Sequence, residues 1–364
     1  MGILNERIGK LRKMMADNNL ESALILNLVN IRYFTGFSGT TAELLITMDK
    51  AYIFADFRYL IQADSEARAL DSDFKFEIVN VKKGFTESLK QIVVKDKIKR
   101  IAVEENYITF SLYRKLSVLL NDVKLDSLSE IPERIRRKKD AGEISLIKKA
   151  AFIADKAFEE LLNYIRPGIS EKDISNELEY RMKKLGAEGR SFDTIVASGV
   201  RSCMPHGTAT EKLIEKGDTV TIDFGAVYNG YCSDMTRTFF IKYADERIVN
   251  IYRIVNEARQ MAVYCAKPGI KASEMDSCAR GFISENGFGD NFGHGLGHGV
   301  GLEIHEGPTA NTRSNDILEA GNIVTVEPGI YLEGVGGVRI EDMIVINNIG
   351  CEVITNTPRD ILII

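Results

Sequence analysis

Residues 219–240 read TVTIDFGAVYNGYCSDMTRTFF. Two strand-like runs, 219–228 and 231–240, flank Asn229-Gly230, the dipeptide that most strongly favours a type I′ hairpin turn. A two-residue loop pairs residue 228 with 231 and sets Asp234 opposite Gly225, two positions from Asp223. Opposed residues share a face of a sheet, and so do residues two apart on a strand. Asp223 and Asp234 are therefore predicted to be diagonal neighbours, with Cβ atoms roughly 7–8 Å apart at most. Two buried carboxylates that close repel unless positive charge lies between them. A pair of divalent ions about 3.5–4 Å apart fits the gap.

The flanking sequence repeats. Arg166-Pro167-Gly168-Ile169 is matched by Lys267-Pro268-Gly269-Ile270, and each follows a helical pattern, 143–165 and 244–266. Further on, Gly217-Asp218-Thr219-Val220-Thr221-Ile222-Asp223 is answered by Gly321-Asn322-Ile323-Val324-Thr325-Val326-Glu327. The order of motifs predicts two copies of one unit facing each other around a pseudo-twofold axis. Asp223 then corresponds to Glu327 and Asp234 to Glu341, on the next strand-like run, 337–346. Glu327 and Glu341 share a face if the intervening loop has an odd number of residues; an even number needs a bulge at Pro328. Two hairpins would thus bring four carboxylates to the axis.

Residues 293–301 are Gly-His-Gly-Leu-Gly-His-Gly-Val-Gly. Glycine at every second position opposes a helix. In an extended chain His294 and His298 share a face, and the bare opposite face admits another backbone layer or a ligand. The stretch is not a G-x-G-x-x-G dinucleotide loop, and no H-E-x-x-H zincin motif occurs. The chain has four histidines, all between 206 and 305. Four carboxylates with one imidazole make a hard, oxygen-rich donor set that suits manganese best, with iron, cobalt and zinc also accommodated. Magnesium fits less well because it keeps its waters.

The 364 residues exceed what one core usually serves. The first third alternates helical (3–16, 58–70, 86–97, 110–120) and strand-like (23–29, 43–48, 51–55, 76–81, 101–104) patterns, an α/β domain with no histidine, cysteine or phosphate loop. The boundary is expected near 130, giving domains 1–128 and 129–364. The basic run Pro132 to Lys139 is expected to be a solvated linker and helix start. A net charge of −5 excludes a generic footprint for nucleic acid or anionic membrane. No apolar run approaches the roughly 20 residues of a bilayer span, and no secretory leader is evident. Five cysteines with no C-x-x-C pair point to a reduced, cytoplasmic chain.

These motifs resemble the pita-bread metallopeptidases, the family of methionine aminopeptidase, aminopeptidase P, prolidase and creatinase. The matching residues are Ile222-Asp223-Phe224-Gly225, Tyr231 to Thr238, Gly297-His298-Gly299, Glu327-Pro328-Gly329-Ile330-Tyr331 and Val338-Arg339-Ile340-Glu341-Asp342. Residues 1–128, with Asn30-Ile31-Arg32-Tyr33-Phe34-Thr35-Gly36-Phe37, resemble the N-terminal domain of creatinase, prolidase and aminopeptidase P. The resemblance implies an α/β N-terminal domain and an α+β pita-bread catalytic domain with its internal repeat. It implies two divalent ions held by Asp223, Asp234, His298, Glu327 and Glu341. It further implies His206, His294 and His305 around the substrate, and Tyr331 and Arg339 orienting the ligands. A homodimer is implied as well.

The activity implied is hydrolysis of a peptide with proline at its second position. Glu327 is the candidate to carry a proton from water to the leaving nitrogen, and His206 or His305 to stabilise the oxyanion. Phe34-Thr35-Gly36-Phe37-Ser38-Gly39 tilts the reading toward an Xaa-Pro aminopeptidase (aminopeptidase P-like); the alternative is an Xaa-Pro dipeptidase (prolidase) restricted to dipeptides. A non-catalytic binding protein on the same fold, or a metal-free relative, is disfavoured by the intact ligand set.

Overall fold

Leu4, Ile8, Leu11 and Met15, the spacing of an amphipathic helix, are all buried on the helix Ile3–Asp17. The computed structural model describes residues 2–364. The chain divides into two compact units between Arg136 and Arg137. In the first, six strands form one mixed sheet in the order Glu77–Asn80, Ala51–Ala55, Glu43–Thr47, Ser22–Ile25, Arg100–Val103, Lys124–Ser127. Leu24, Leu45, Tyr52, Phe54, Leu89 and Leu116 pack in its core.

The strand-like run 23–29 is interrupted. The strand ends at Ile25, and the helix Leu28–Thr35 starts where Asn27 caps it by accepting from the Val29 N–H. The basic run is solvated only in part: Arg134 and Lys138 are exposed, but Arg136 and Lys139 are buried. Pro132 lies on the helix Ile131–Arg137, and buried Arg136 donates to Asn30 Oδ1 at 2.6 Å, which draws that helix onto the first unit. Lys139 is buried against Glu306. Burial is affordable because each cation has a polar partner.

The second unit carries the duplication in its hydrogen bonds. Gly168 N donates to Ile214 O, and Gly269 N to Leu318 O. Gly217 N donates to Ile241 O, and Gly321 N to Ile346 O. The helices Ala141–Leu161 and Glu171–Lys184 line one half; Glu246–Cys265 and Ala272–Glu285 line the other. Each half packs its own core, one around Phe158, Ile174, Ile222 and Phe239, the other around Val255, Met275, Val326 and Ile344. The halves meet where Glu341 N donates to Thr236 O and Thr238 Oγ1 to Arg339 O.

Both hairpins keep their registers. Tyr228 pairs with Tyr231 and Thr236 with Asp223, as the two-residue turn dictates. In the second, Val326 pairs with Asp342 and Leu332 with Gly336. The loop between them is therefore three residues, the odd case, and Glu327 stands opposite Glu341.

The cysteines depart from expectation. Cys265 and Cys278 are joined by a disulfide, 13 positions apart. They are brought together by the packing of the helix Ala272–Glu285 against the helix Glu246–Cys265, which Cys spacing does not reveal. Cys203, Cys232 and Cys351 are free. Among the described residues no helix is long and apolar enough to cross a membrane.

The first hairpin kinks at Gly225, where an added Cβ would lie 1.8 Å from the main-chain oxygen of Ser233. Gly225→Ala is expected to cost about 2 kcal/mol and lower the melting temperature by roughly 4–8 °C, measured by calorimetry.

Candidate metal centre

Five of the residues singled out by sequence line one cavity of about 430 Å³: Asp223, Asp234, His298, Glu327 and Glu341. Each lies on or just beside a different strand. Asp223 lies on Thr219–Phe224 and Asp234 just before Met235–Phe240. His298 lies on Gly297–Gly299; Glu327 and Glu341 follow Ile323–Val326 and Gly336–Arg339. The register between the strands carrying His298 and Thr309 shifts at His298/Gly299, a bulge of the kind that re-aims side chains at sites.

The donor atoms of these side chains converge on one another. His298 Nδ1 lies 3.0 Å from the Gly299 carbonyl and donates to it, so in the neutral ring Nε2 carries a lone pair. Burial holds the imidazole down at about 4, which keeps it neutral. That lone pair faces Asp234 Oδ2 and Glu327 Oε1, each 3.5 Å away. Asp223 Oδ1 is buried with no hydrogen-bond partner. One donor atom from each of Asp234, His298 and Glu341 lies within 4.8 Å of the others. Buried acceptors aimed at one another need a proton or a cation between them, and a hard oxygen-rich set with one imidazole fits a metal.

Electrostatics records the same conflict. Burial, with repulsion from Glu341, Asp223 and Glu327, drives the Asp234 carboxyl well above the usual range. Burial with Glu327 and Asp223 does the same to Glu341. Burial pushes Glu327 up to about 8, against the opposing pull of Arg339.

Neighbouring side chains fix the ligands' orientation. Arg339 donates to Asp223 Oδ2 at 2.7 Å, Thr236 Oγ1 at 3.1 Å, Pro205 O at 3.1 Å and Tyr331 Oη at 2.9 Å. Thr236 Oγ1 donates to Glu341 Oε2 at 2.7 Å. Thr325 Oγ1 accepts from His298 N at 3.0 Å and donates to Glu327 Oε1 at 3.3 Å. Behind Glu341, fully buried Asp342 pairs with Arg237, Arg259 and Arg359 and accepts from Thr355. Burial raises its carboxyl, but the three guanidiniums outweigh burial and hold it below the usual range.

The other histidines separate by role. His206 and His305 line the cavity, and the His305 ring lies 4.3 Å from that of His298. His294 also lines it, but both of its nitrogens are engaged: Nδ1 with Gly295 O at 2.8 Å, Nε2 with Tyr331 Oη at 2.9 Å. Neutral His294, held down at about 4 by burial, accepts from Tyr331 and orients it rather than presenting a free nitrogen. Sequence reading missed Thr236, Thr325 and Asp342. The first two were recoverable, since Thr236 is the hairpin partner of Asp223 and Thr325 lies two before Glu327. Asp342 had no signal, because its arginines come from three distant segments.

A water-accessible cavity with this donor set, on a duplicated α+β fold, is that of a metal-dependent hydrolase. Residues 145–348 match metallopeptidase family M24, and residues 7–138 match the creatinase/prolidase N-terminal domain. The chain belongs to metallopeptidase family M24. Three similar proteins illustrate the range. An Xaa-Pro dipeptidase from Bacillus anthracis is 43% identical, with a TM-score of 0.96, 99% of this chain covered and 100% of that one. An X-Pro aminopeptidase from Thermotoga maritima is 43% identical, with a TM-score of 0.89, 95% and 98% covered. An Xaa-Pro dipeptidase of Pyrococcus horikoshii is 38% identical over 100% of both chains.

Carboxyls raised by folding make the metal-free protein sensitive to pH with a definite sign. Such groups contribute their full stability below the unfolded pKa, near 4, and lose it as pH rises through the folded value, about 8 for Glu327. The melting temperature of metal-stripped protein is expected to fall between pH 5 and pH 8. Added divalent ion should raise it more at pH 8 than at pH 5, as differential scanning calorimetry would show.

Proposed function

We propose that the chain is a dinuclear metallopeptidase acting on Xaa-Pro peptides, and within that class an Xaa-Pro dipeptidase. The observation that carries the reading is the convergence of Asp223, Asp234, His298, Glu327 and Glu341 on one cavity. Full-length similarity to proteins named Xaa-Pro dipeptidase supports the choice within the class. The N-terminal pattern Phe34 to Gly39 had tilted the reading toward an aminopeptidase, and these relatives support the dipeptidase better.

Asp223, Asp234, His298, Glu327 and Glu341 would hold the two ions. The hard donor set favours manganese. Two divalent ions held there would polarise a substrate carbonyl and acidify a water near neutral pH. Glu327 accepts the proton of the attacking water and returns it to the proline nitrogen as that leaves. His206 and His305, on the cavity wall, donate to the oxygen that develops negative charge. Arg339 and Thr236 hold the carboxylates in place while charge moves.

One observation favours the second reading, an Xaa-Pro aminopeptidase that accepts longer peptides. Among the described residues lining the cavity the one Lys or Arg is Arg339, and its three nitrogens are already committed. It offers no free clamp for a dipeptide's carboxylate.

Metal-stripped enzyme reconstituted with manganese should hydrolyse Xaa-Pro dipeptides and leave Xaa-Pro-Yaa intact. Comparable rates on both select the aminopeptidase, and inactivity on every Xaa-Pro peptide removes the proline assignment. Glu327→Gln should lower kcat by roughly 10²–10⁴-fold in steady-state assays.

A further inference from the structure

The segment carrying His294 and His298 is poorly equipped to hold itself. Gly293, Gly295, Gly297 and Gly299 give it no side chain on alternate positions. Glycine also loses more conformational freedom on ordering than any other residue. Something outside the segment must hold the main chain if two imidazoles are to be aimed within a fraction of an ångström.

The helix Ala272–Glu285 supplies that hold through Asp276 and Arg280, four apart and so on one face. Asp276 is fully buried. Its Oδ2 accepts from Arg280 Nε and its Oδ1 from Nη2, both at 2.8 Å, a bidentate pair. Arg280, locked in this way, donates from Nη1 to Phe292 O at 2.8 Å and from Nη2 to His294 O at 2.7 Å. Asp276 Oδ1 accepts from Leu296 N at 3.1 Å. The two side chains thus hold the main chain at 292, 294 and 296, alternate residues of the bent segment that leads into the strand Gly297–Gly299.

The contact extends further on both sides. The Arg280 guanidinium lies 4.2 Å from the Phe292 ring centroid, and that ring meets the His294 imidazole edge-on at 5.0 Å. The Leu296 carbonyl accepts from Glu327 N at 2.9 Å. Leu296 is therefore held by Asp276 through one main-chain group and holds Glu327 through the other. His298 lies two residues beyond.

We propose that the Asp276–Arg280 pair is the positioning element of the histidine segment: it sets His294, His298 and Glu327 against the carboxylates from the other strands, without touching the centre itself. The proposal rests on His298 and Glu327 being metal ligands. A pair that merely tied one turn of its own helix would affect stability and leave the metal site unchanged.

The test compares wild type with Arg280→Met, which keeps an unbranched apolar stem and removes every donor. Arg280→Lys keeps the charge but loses the fork. The Arg280 side chain is 24% exposed, so both changes avoid emptying the core. Asp276→Asn, which weakens the pair from the other side, decides the matter if Arg280→Met does not fold. Manganese affinity of metal-stripped protein is measured by titration calorimetry, and site geometry by the visible spectrum of the cobalt-substituted protein. Arg280→Met is expected to weaken manganese binding by about 10–100-fold and to shift the cobalt spectrum, with Arg280→Lys between it and wild type. A folded Arg280→Met protein with wild-type affinity and spectrum overturns the proposal, whatever its melting temperature. Neither measurement needs a substrate, so inactivity of wild type on Xaa-Pro peptides would sink the functional reading and not this one. Wild type that binds no divalent ion would overturn both.

Discussion

Four carboxylates are gathered in one cavity, Asp234 and Glu341 buried and Asp223 and Glu327 partly so, and their mutual repulsion is the constraint around which the second unit is built. Left alone, Asp223, Asp234, Glu327 and Glu341 would each prefer water or a proton. The fold denies them the first by burial and opposes the second with a guanidinium: Arg339 sits on Asp223 and pulls against the upward drift of Glu327. What remains is a demand for cations. The same demand explains why the lone pair of His298 is turned toward acid oxygens, an orientation that makes sense only with positive charge between them.

Holding such a centre in one geometry requires that no ligand be free to rotate toward solvent. The chain meets this requirement mostly with neutral groups and main chain. Thr236 and Thr325 each bridge two participants, and Glu327 takes its main-chain bond from Leu296. Apart from Arg339, which donates directly to Asp223, charged residues act one layer further out. Asp342 gathers three arginines from separate segments, and one of them, Arg237, also donates to the carbonyls of Thr236 and Glu341, where the two halves meet. The charge excess of that cluster lies behind Glu341, where positive potential offsets the acidity of the centre.

Much of this was legible in the chain because it follows from short-range rules. Asn229-Gly230 dictates a two-residue turn, the turn dictates register, and register puts Asp223 and Asp234 on one face. The duplicated Pro-Gly-Ile turns locate the second pair. What failed to show had a common cause. Strand 23–29 gave way to a helix because Asn27 caps it. Arg136 and Lys139 of the basic run are buried rather than solvated, which did not show because their partners, Asn30 and Glu306, lie more than 100 residues away in sequence. Cys265 and Cys278 gave no sign of pairing because two helices must first fold back on each other.

The choice of His298 as fifth residue came from the family resemblance, whereas by itself the sequence determined the α/β first part, the duplication in the second and the four carboxylates. These depend on periodicity, turn chemistry and residue type, all local properties. Only the tertiary structure decided whether Glu327 stands opposite Glu341, a question of one residue in loop length that inverts a face. It alone revealed that His294 is spent on Tyr331, that Asp342 anchors three arginines and that a helix 20 residues upstream grips the glycine-rich segment. Such contacts depend on which distant atoms end up within about 3 Å, and hydrogen bonding at that range is set by packing rather than by spacing along the chain.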